Sequence, residues 1–117
     1  MNKVKFDWYD LLTSDVKRFN EERINNLHKP IILTNADLKK ADLGHADLKK
    51  VDLAHADLRL ANLTHADLRY SDLSYSDLTH ADLRYSDLRK VSLCDSDLNN
   101  ALITFRDKTV KIKFEEV

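Results

Sequence analysis

Leu recurs at every fifth position from Leu33 to Leu98, and Ile103 extends the series. Within "ADLRYSDLSYSDLTHADLRYSDL" an Asp precedes each of these Leu residues and an Ala or Ser precedes each Asp, so the unit is (A/S/V)-(D/N)-L-x-x. From Leu38 to Leu98 only Asn62 and Ser92 interrupt the Asp place. Five is the period of neither common element. On an α-helix at about 100° per residue a five-residue step turns roughly 140°, which scatters the Leu side chains around the cylinder. On a flat strand an odd step sends successive Leu to opposite faces, so both faces of a sheet rich in Asp, Lys and Arg would have to be buried. The remaining solution bends the chain once per five residues in one sense, so that every Leu points to a common axis and a few repeats close one coil of a solenoid.

The inward set is then Leu38, Leu43, Leu48, Leu53, Leu58, Leu63, Leu68, Leu73, Leu78, Leu83, Leu88, Leu93 and Leu98, with the small residue two places before each. Such a coil needs a turn per repeat, yet the chain has one Gly and one Pro in 117 residues. The turns must therefore be built from other residues, since the high Asp content also opposes long helices.

With this pattern over roughly residues 31–105 the sequence resembles the pentapeptide-repeat proteins. The resemblance implies an all-β solenoid, a right-handed quadrilateral β-helix with four pentapeptides, hence twenty residues, per coil and about 3.5 coils in this chain. Backbone hydrogen bonds between coils about 4.8 Å apart would replace an ordinary sheet ladder. Three segments follow: an N-terminal helical cap over 1–30, the repeats over 31–105, and a C-terminal strand or tail over 106–117 that caps the last coil or joins a second molecule. "LLTSDVKRFNEER" resembles the leader found ahead of such repeats in some bacterial members, L-L-x-x-x-V-x-x-W-N-x-x-R, with Phe19 at the Trp place. From the residues themselves, Thr13 or Ser14 is expected to cap the helix, Val16, Phe19 and Arg23 to share a face, and Lys29-Pro30 to end it. At the other end TVKIKFEEV alternates Val110, Ile112 and Phe114 with charged residues, the pattern of a half-buried strand. Together with Phe105 these form a candidate capping or dimer surface.

Stacking positions twenty apart sorts the outward residues into four faces. Face one carries Asp52 and Asp72 and no basic residue, with His55 below Tyr75. Face four carries Asp47, Asp67 and Asp87 beside Lys49, Arg69 and Arg89, with Lys50, Tyr70 and Lys90 at the corner. An Asp column one strand spacing apart repels itself, and an adjacent basic column offsets this by pairing across coils, so face four reads first as a zwitterionic ladder. The alternative is an acidic partner bound through Lys49, Arg69, Tyr70, Arg89 and Lys90. His45 above His65 invites a metal, but the column continues as Tyr85 and Phe105, which reads as aromatic stacking. Cys94 has no His or Cys column around it and reads as an inert thiol. Ser71, Ser76, Ser86 and Ser96 fill inward places where their hydroxyls serve the backbone. No catalytic, metal or cofactor site emerges, and an enzyme is not expected.

Nineteen Lys and Arg against twenty Asp and Glu leave no overall field toward nucleic acid or an anionic membrane. The N-terminus lacks an apolar signal region and no stretch approaches a membrane span, so with one Cys the chain reads as cytoplasmic. Two function classes remain. One is a rigid scaffold that binds another protein by a side face or an end, including a homodimer through the C-terminal end. The other, implied by the family resemblance, is a DNA mimic acting on a type II topoisomerase such as gyrase. Mimicry needs a dominant negative field, since duplex DNA carries a charge per about 1.7 Å. Across residues 36–98 twelve Asp face nine Lys and Arg, only a mild excess, so the scaffold is the preferred reading.

Overall fold

A corner closes after every Leu. In the computed structural model, which describes residues 7–113, the N–H of Ala56 bonds the C=O of Leu53 at 3.1 Å, and the same three-residue return repeats along the coils. The fifth residue of each repeat, from Asn35 through His65 to Asn100, sits at φ between 55° and 65°. A positive φ at the third place only of a four-residue turn is the type II β-turn, which ordinarily takes Gly. Here Asn, His, Tyr, Lys, Asp and one Leu take it, at a cost of about 1 kcal/mol or more each. This answers how one glycine suffices. No Val, Ile or Thr stands at any of these corners, as a β-branched residue fits the left-handed region worst.

The coil period is twenty residues. Parallel bridges join Ile32 to Asp52, Asp37 to Asp57, Asp42 to Asn62 and Asp47 to Asp67, and the pattern continues coil on coil. Most sides of the solenoid meet through one residue each, too little for a named strand. The expected β-helix is therefore present as a ladder of single bridges. The backbone bonds account for that sufficiency. Around one repeat, Leu53 N–H donates to Asp72 C=O (2.8 Å), His55 N–H to Ser74 C=O (2.9 Å), and Asp72 N–H to Val51 C=O (3.1 Å). The side chains of Leu38 to Leu83 in the series are buried, as are Ala46, Val51, Ala56, Ala61 and Ala66. Ser71 and Ser76 keep the interior small, and their hydroxyls donate to the C=O groups of Leu68 and Leu73 at 2.7 and 2.6 Å.

Ahead of the coils, α1 (Trp8–Ser14) starts at Asp7, whose carboxylate accepts from Asp10 N–H, and α2 (Val16–Asn25) starts at Asp15, whose carboxylate accepts from Arg18 N–H. The cap expected at Thr13 or Ser14 is thus at Asp15. Both hydroxyls instead donate back to helix carbonyls, Thr13 to Tyr9 and Ser14 to Asp10, and belong to the end of α1. The second helix also stops at Asn25, with Asn26 as its C-cap, before Lys29-Pro30 can end it. Leu12 and Phe19 are buried, and Trp8 meets Phe19 edge-on at 5.6 Å between ring centroids.

At the far end, β1 (Asp82–Leu83) pairs in parallel with β2 (Leu102–Phe105), which turns at Arg106-Asp107 into β3 (Lys108–Lys111). Both turn residues have positive φ, the two-residue type I′ connection of a hairpin. The C-terminal segment expected to be half-buried is exposed at every residue of β3. The reason is the hairpin register, which lays β3 on the edge of β2 and extends one side of the coil, so that among the described residues β3 is not packed over the core. Only Ile112, whose N–H bonds Ala101 C=O at 2.8 Å, is half-buried, and Phe114 lies outside the described residues.

Leu78→Ala should lower stability by about 2–5 kcal/mol, the range for emptying a buried Leu site. At the corner, Leu60→Ile conserves volume and should still cost of order 1 kcal/mol, because branching at Cβ opposes positive φ. Urea unfolding of both variants measures this, and a neutral Leu60→Ile would contradict the corner geometry.

Candidate protein-binding surfaces

The Asp column has a local duty. Of the five N–H groups in a repeat, four are taken by the turn and by neighbouring coils. The fourth residue's N–H is taken by the carboxylate two places before it, as in Ala54 to Asp52 (3.0 Å), Thr79 to Asp77 (3.0 Å) and Asn99 to Asp97 (2.9 Å). Asn62 does the same for Thr64 at 3.0 Å, so an acceptor is required and a charge is not. The missed signal was the fixed spacing of Asp or Asn two places before an amide that no coil can reach.

Where the fourth residue is Arg, its guanidinium folds back on the same Asp with two bonds. Arg69 Nε and Nη2 reach Asp67 at 2.9 and 2.7 Å, and Arg89 reaches Asp87 likewise. The cross-coil contact of Arg69 with Asp87 is longer, 3.6 Å. Face four is therefore a ladder whose short pairs lie within a repeat, where pairing across coils was expected. These Arg partners hold Asp57 and Asp87 down to about 2 and lower Asp67 and Asp82, while Asp72 is lowered chiefly by the Ser74 hydroxyl. Among the described residues no ion pair involves a Lys, so Lys49, Lys50 and Lys90 keep their charge for solvent or a partner. Tyr70 is 58% exposed between Lys50 and Lys90.

His45, His65 and Tyr85 stack at centroid spacings of 4.7 and 5.0 Å, and His55 stacks on Tyr75 at 5.0 Å. Among the described residues no group of three or more His, Cys, Asp or Glu is placed to hold a metal ion. Cys94 is exposed with Asp95 Oδ2 at 3.3 Å from Sγ, which pushes the thiol up and disfavours the reactive thiolate.

The two ends differ. At the first coil, side chains of the helices replace the coil that is not there. Tyr9 OH donates to Asp37 C=O (2.7 Å) and Arg23 Nη1 to Asp47 C=O (3.0 Å), while Asn20 Oδ1 accepts from Asp47 N–H (2.7 Å). Asn20 and Arg23 are the leader residues quoted above. Tyr9, which the sequence reading missed, carries no signal beyond its place on α1. At the last coil the N–H groups of Leu88, Leu93 and Leu98 find no backbone acceptor among the described residues. Leu88, Val91, Leu93 and Leu98 are only half-buried there. The hairpin register puts Phe105, 59% exposed, and Val110, 39% exposed, on the side shared with Ile103 and Ala101. The candidate surface of Phe105, Val110 and Ile112 thus adjoins the open end of the core.

A family model for pentapeptide repeats matches residues 33–64 and 61–100 in eight copies, more than half of the chain. The chain belongs to the pentapeptide-repeat family. It is similar to the crystal structure of a pentapeptide-repeat protein from the Arabidopsis thaliana thylakoid lumen, at 31% identity over 65% of this chain and a TM-score of 0.59. It spans 55% of that protein's length. HetL of the cyanobacterium Nostoc sp. strain PCC 7120, a pentapeptide-repeat protein involved in heterocyst differentiation regulation, matches at 32% identity over 62% of this chain and 38% of its own, with a TM-score of 0.39. No curated protein matches the chain. Its repeats build a solenoid. Among the described residues no helix is long and apolar enough to cross a membrane.

The Asp shifts set an acid limit. A carboxyl whose pKa is lower folded than unfolded stays charged longer in the folded chain, so the unfolded chain takes up protons first as pH falls. The stabilisation is complete above about pH 4, near the ordinary Asp value, and is lost toward about pH 2. Thermal melting from pH 7 to 2 should show a flat upper range and a fall below about 4. A melting temperature unchanged at pH 2 would contradict these pairings.

Proposed function

We propose that the chain is a non-catalytic, rigid scaffold that docks another protein on the open end of its last coil, and that a second copy docks there about a two-fold axis. The supporting observation is the last coil itself, where half-buried Leu88, Leu93 and Leu98 lie beside N–H groups with no backbone acceptor among the described residues. Exposed Phe105 and Val110 continue the apolar surface onto the hairpin. An unpaired edge of this kind is a template for another chain. A pairing of like ends closes after two molecules, whereas head-to-tail stacking would grow without limit. In this reading the helical segment is the cap of the first coil, which leaves the C-terminal end for binding. Its free thiol suits the reducing cytoplasm.

The scaffold reading is favoured over a DNA mimic by how the carboxylates are used. Asp57, Asp67, Asp82 and Asp87 are each neutralised by an Arg two places on, which removes the continuous negative column that mimicry needs.

Light scattering on the full chain should give the mass of a dimer. Phe105→Glu with Val110→Glu should give a folded monomer with little loss of thermal stability, since both side chains are exposed. A wild-type chain that is monomeric at high concentration would overturn the two-fold end.

A further inference from the structure

We infer that the corner between faces four and one, together with the cleft at its foot, binds an extended acidic peptide segment. The corner is built by backbone bonds: Lys50 N–H donates to Arg69 C=O at 2.9 Å and Tyr70 N–H to Arg89 C=O at 3.2 Å, so Lys50, Tyr70 and Lys90 stand one above another. All three hold positive φ, at 62°, 60° and 61°, and are exposed. Successive residues of the column are about 4.8 Å apart, so the corner positions of Lys50 and Lys90 flank that of the exposed Tyr70.

At the foot of this column opens a cleft of about 240 Å³ lined by Arg23, Leu27, His28, Lys29, Pro30, Ile31 and Lys50. Among the described residues no carboxylate lines it. Arg23 is held at its rim by one Nη1 bond to Asp47 C=O, 3.0 Å, and that carboxylate stands 3.9 Å from the same nitrogen. Lys29 and Lys50 have no ion pair among the described residues. Leu27, Pro30 and Ile31 give the cleft an apolar lining, so it suits a carboxylate-bearing side chain with a hydrocarbon stem, such as Glu.

The charges choose the partner's class. Face four and its corner hold Lys49, Lys50, Arg69, Arg89 and Lys90 against Asp47, Asp67 and Asp87, a local excess of positive charge. Since Arg69 and Arg89 are already paired to Asp67 and Asp87, the excess is carried by the Lys residues. Next to it, face one holds Asp52, Asp72 and Asp95 and no basic residue. A duplex lying along the corner, with its dense phosphate charge, would be repelled by the Asp residues of adjacent face one, whereas a single extended peptide engages the corner alone. A run of Glu or Asp along the rod can meet Lys50 and Lys90 in turn, lay its backbone across Tyr70, and place one carboxylate in the cleft. Electrostatic complementarity of this kind supplies register and rate of encounter.

The probe is a fluorescently labelled hexaglutamate peptide, titrated against the full chain at near-physiological salt, with oligothymidylate and hexalysine alongside. Lys50→Glu with Lys90→Glu should weaken hexaglutamate binding by about tenfold or more without lowering the melting temperature. Lys29→Glu should weaken it alone. Lys108→Glu with Lys111→Glu makes the same change of net charge on the hairpin and should leave binding unaltered. Equal loss from the hairpin pair, no binding by the wild-type chain, or tighter binding of oligothymidylate than of hexaglutamate would each overturn the inference. Of this surface only Lys90 belongs to the last coil, while Lys29, Lys50 and the cleft lie at the first coils, so a monomeric result in light scattering leaves it standing, and its own failure leaves the scaffold reading intact.

Discussion

One hydrogen bond per repeat makes the rest of this molecule possible. A chain that turns a corner every five residues can satisfy its first N–H through the turn and its second, third and fifth through neighbouring coils, as seen around Leu53 and Ala56. The fourth has no coil partner. The carboxylate of Asp, or the amide of Asn62, supplies the acceptor from two residues away. Leaving such a group unpaired near the core would cost about 1–3 kcal/mol per repeat, enough over many repeats to exceed the net stability of an ordinary domain. The same Asp then presents its second oxygen to Arg59, Arg69, Arg84 or Arg89 where the fourth residue is Arg. The charge pattern of the faces is thus largely a by-product of turn chemistry, and function must be sought where that chemistry stops.

It stops at the two ends and at the corners. The ends are unequal because a solenoid has polarity: one edge of each coil offers groups that the other edge of the next accepts. At the first edge Tyr9, Asn20 and Arg23 imitate a missing coil. At the last, a hairpin continues one side while Leu88, Leu93 and Leu98 remain half-covered. The corners are unequal for a different reason. Positive φ shuts out β-branched residues but is met here by six other residue types, so these places vary, and the chain fills them with stacked rings at one corner and with Lys50, Tyr70 and Lys90 at another.

The five-residue period was legible because it rests on side-chain volume, and volume repeats visibly: Leu inward, then Ala or Ser two places before; the twenty-residue coil was implied by the resemblance to the pentapeptide-repeat family. The stacking of His45, His65 and Tyr85 was legible for the same reason, being a consequence of positions twenty apart. What the sequence concealed was backbone work. The Asp or Asn spacing that marks service to an amide was visible but reads first as charge, and residue types alone gave no sign that Asn20 serves Asp47 or that Arg69 folds onto its own repeat in preference to the next. The α2 start at Asp15, where Thr13 or Ser14 was expected, reflects a break between two helices that no composition shift marks. The exposure of β3 depends on hairpin register, which TVKIKFEEV does not specify by alternation alone.

The central claim is that backbone pairing is complete inside the coils, is taken over at the first edge by helix side chains at Asp37, His45 and Asp47, and is left open at the last edge, where a partner completes it. Residue-resolved amide hydrogen exchange, run on dilute and on concentrated protein, tests this most directly. The account requires slow exchange at Leu53, His55, Leu78 and Asp47 under both conditions. It requires fast exchange at Leu88, Leu93 and Leu98 in the dilute sample and slowing of those three at high concentration. Leu88, Leu93 and Leu98 amides as protected in dilute monomer as Leu53, or equally fast in the associated state, would contradict it.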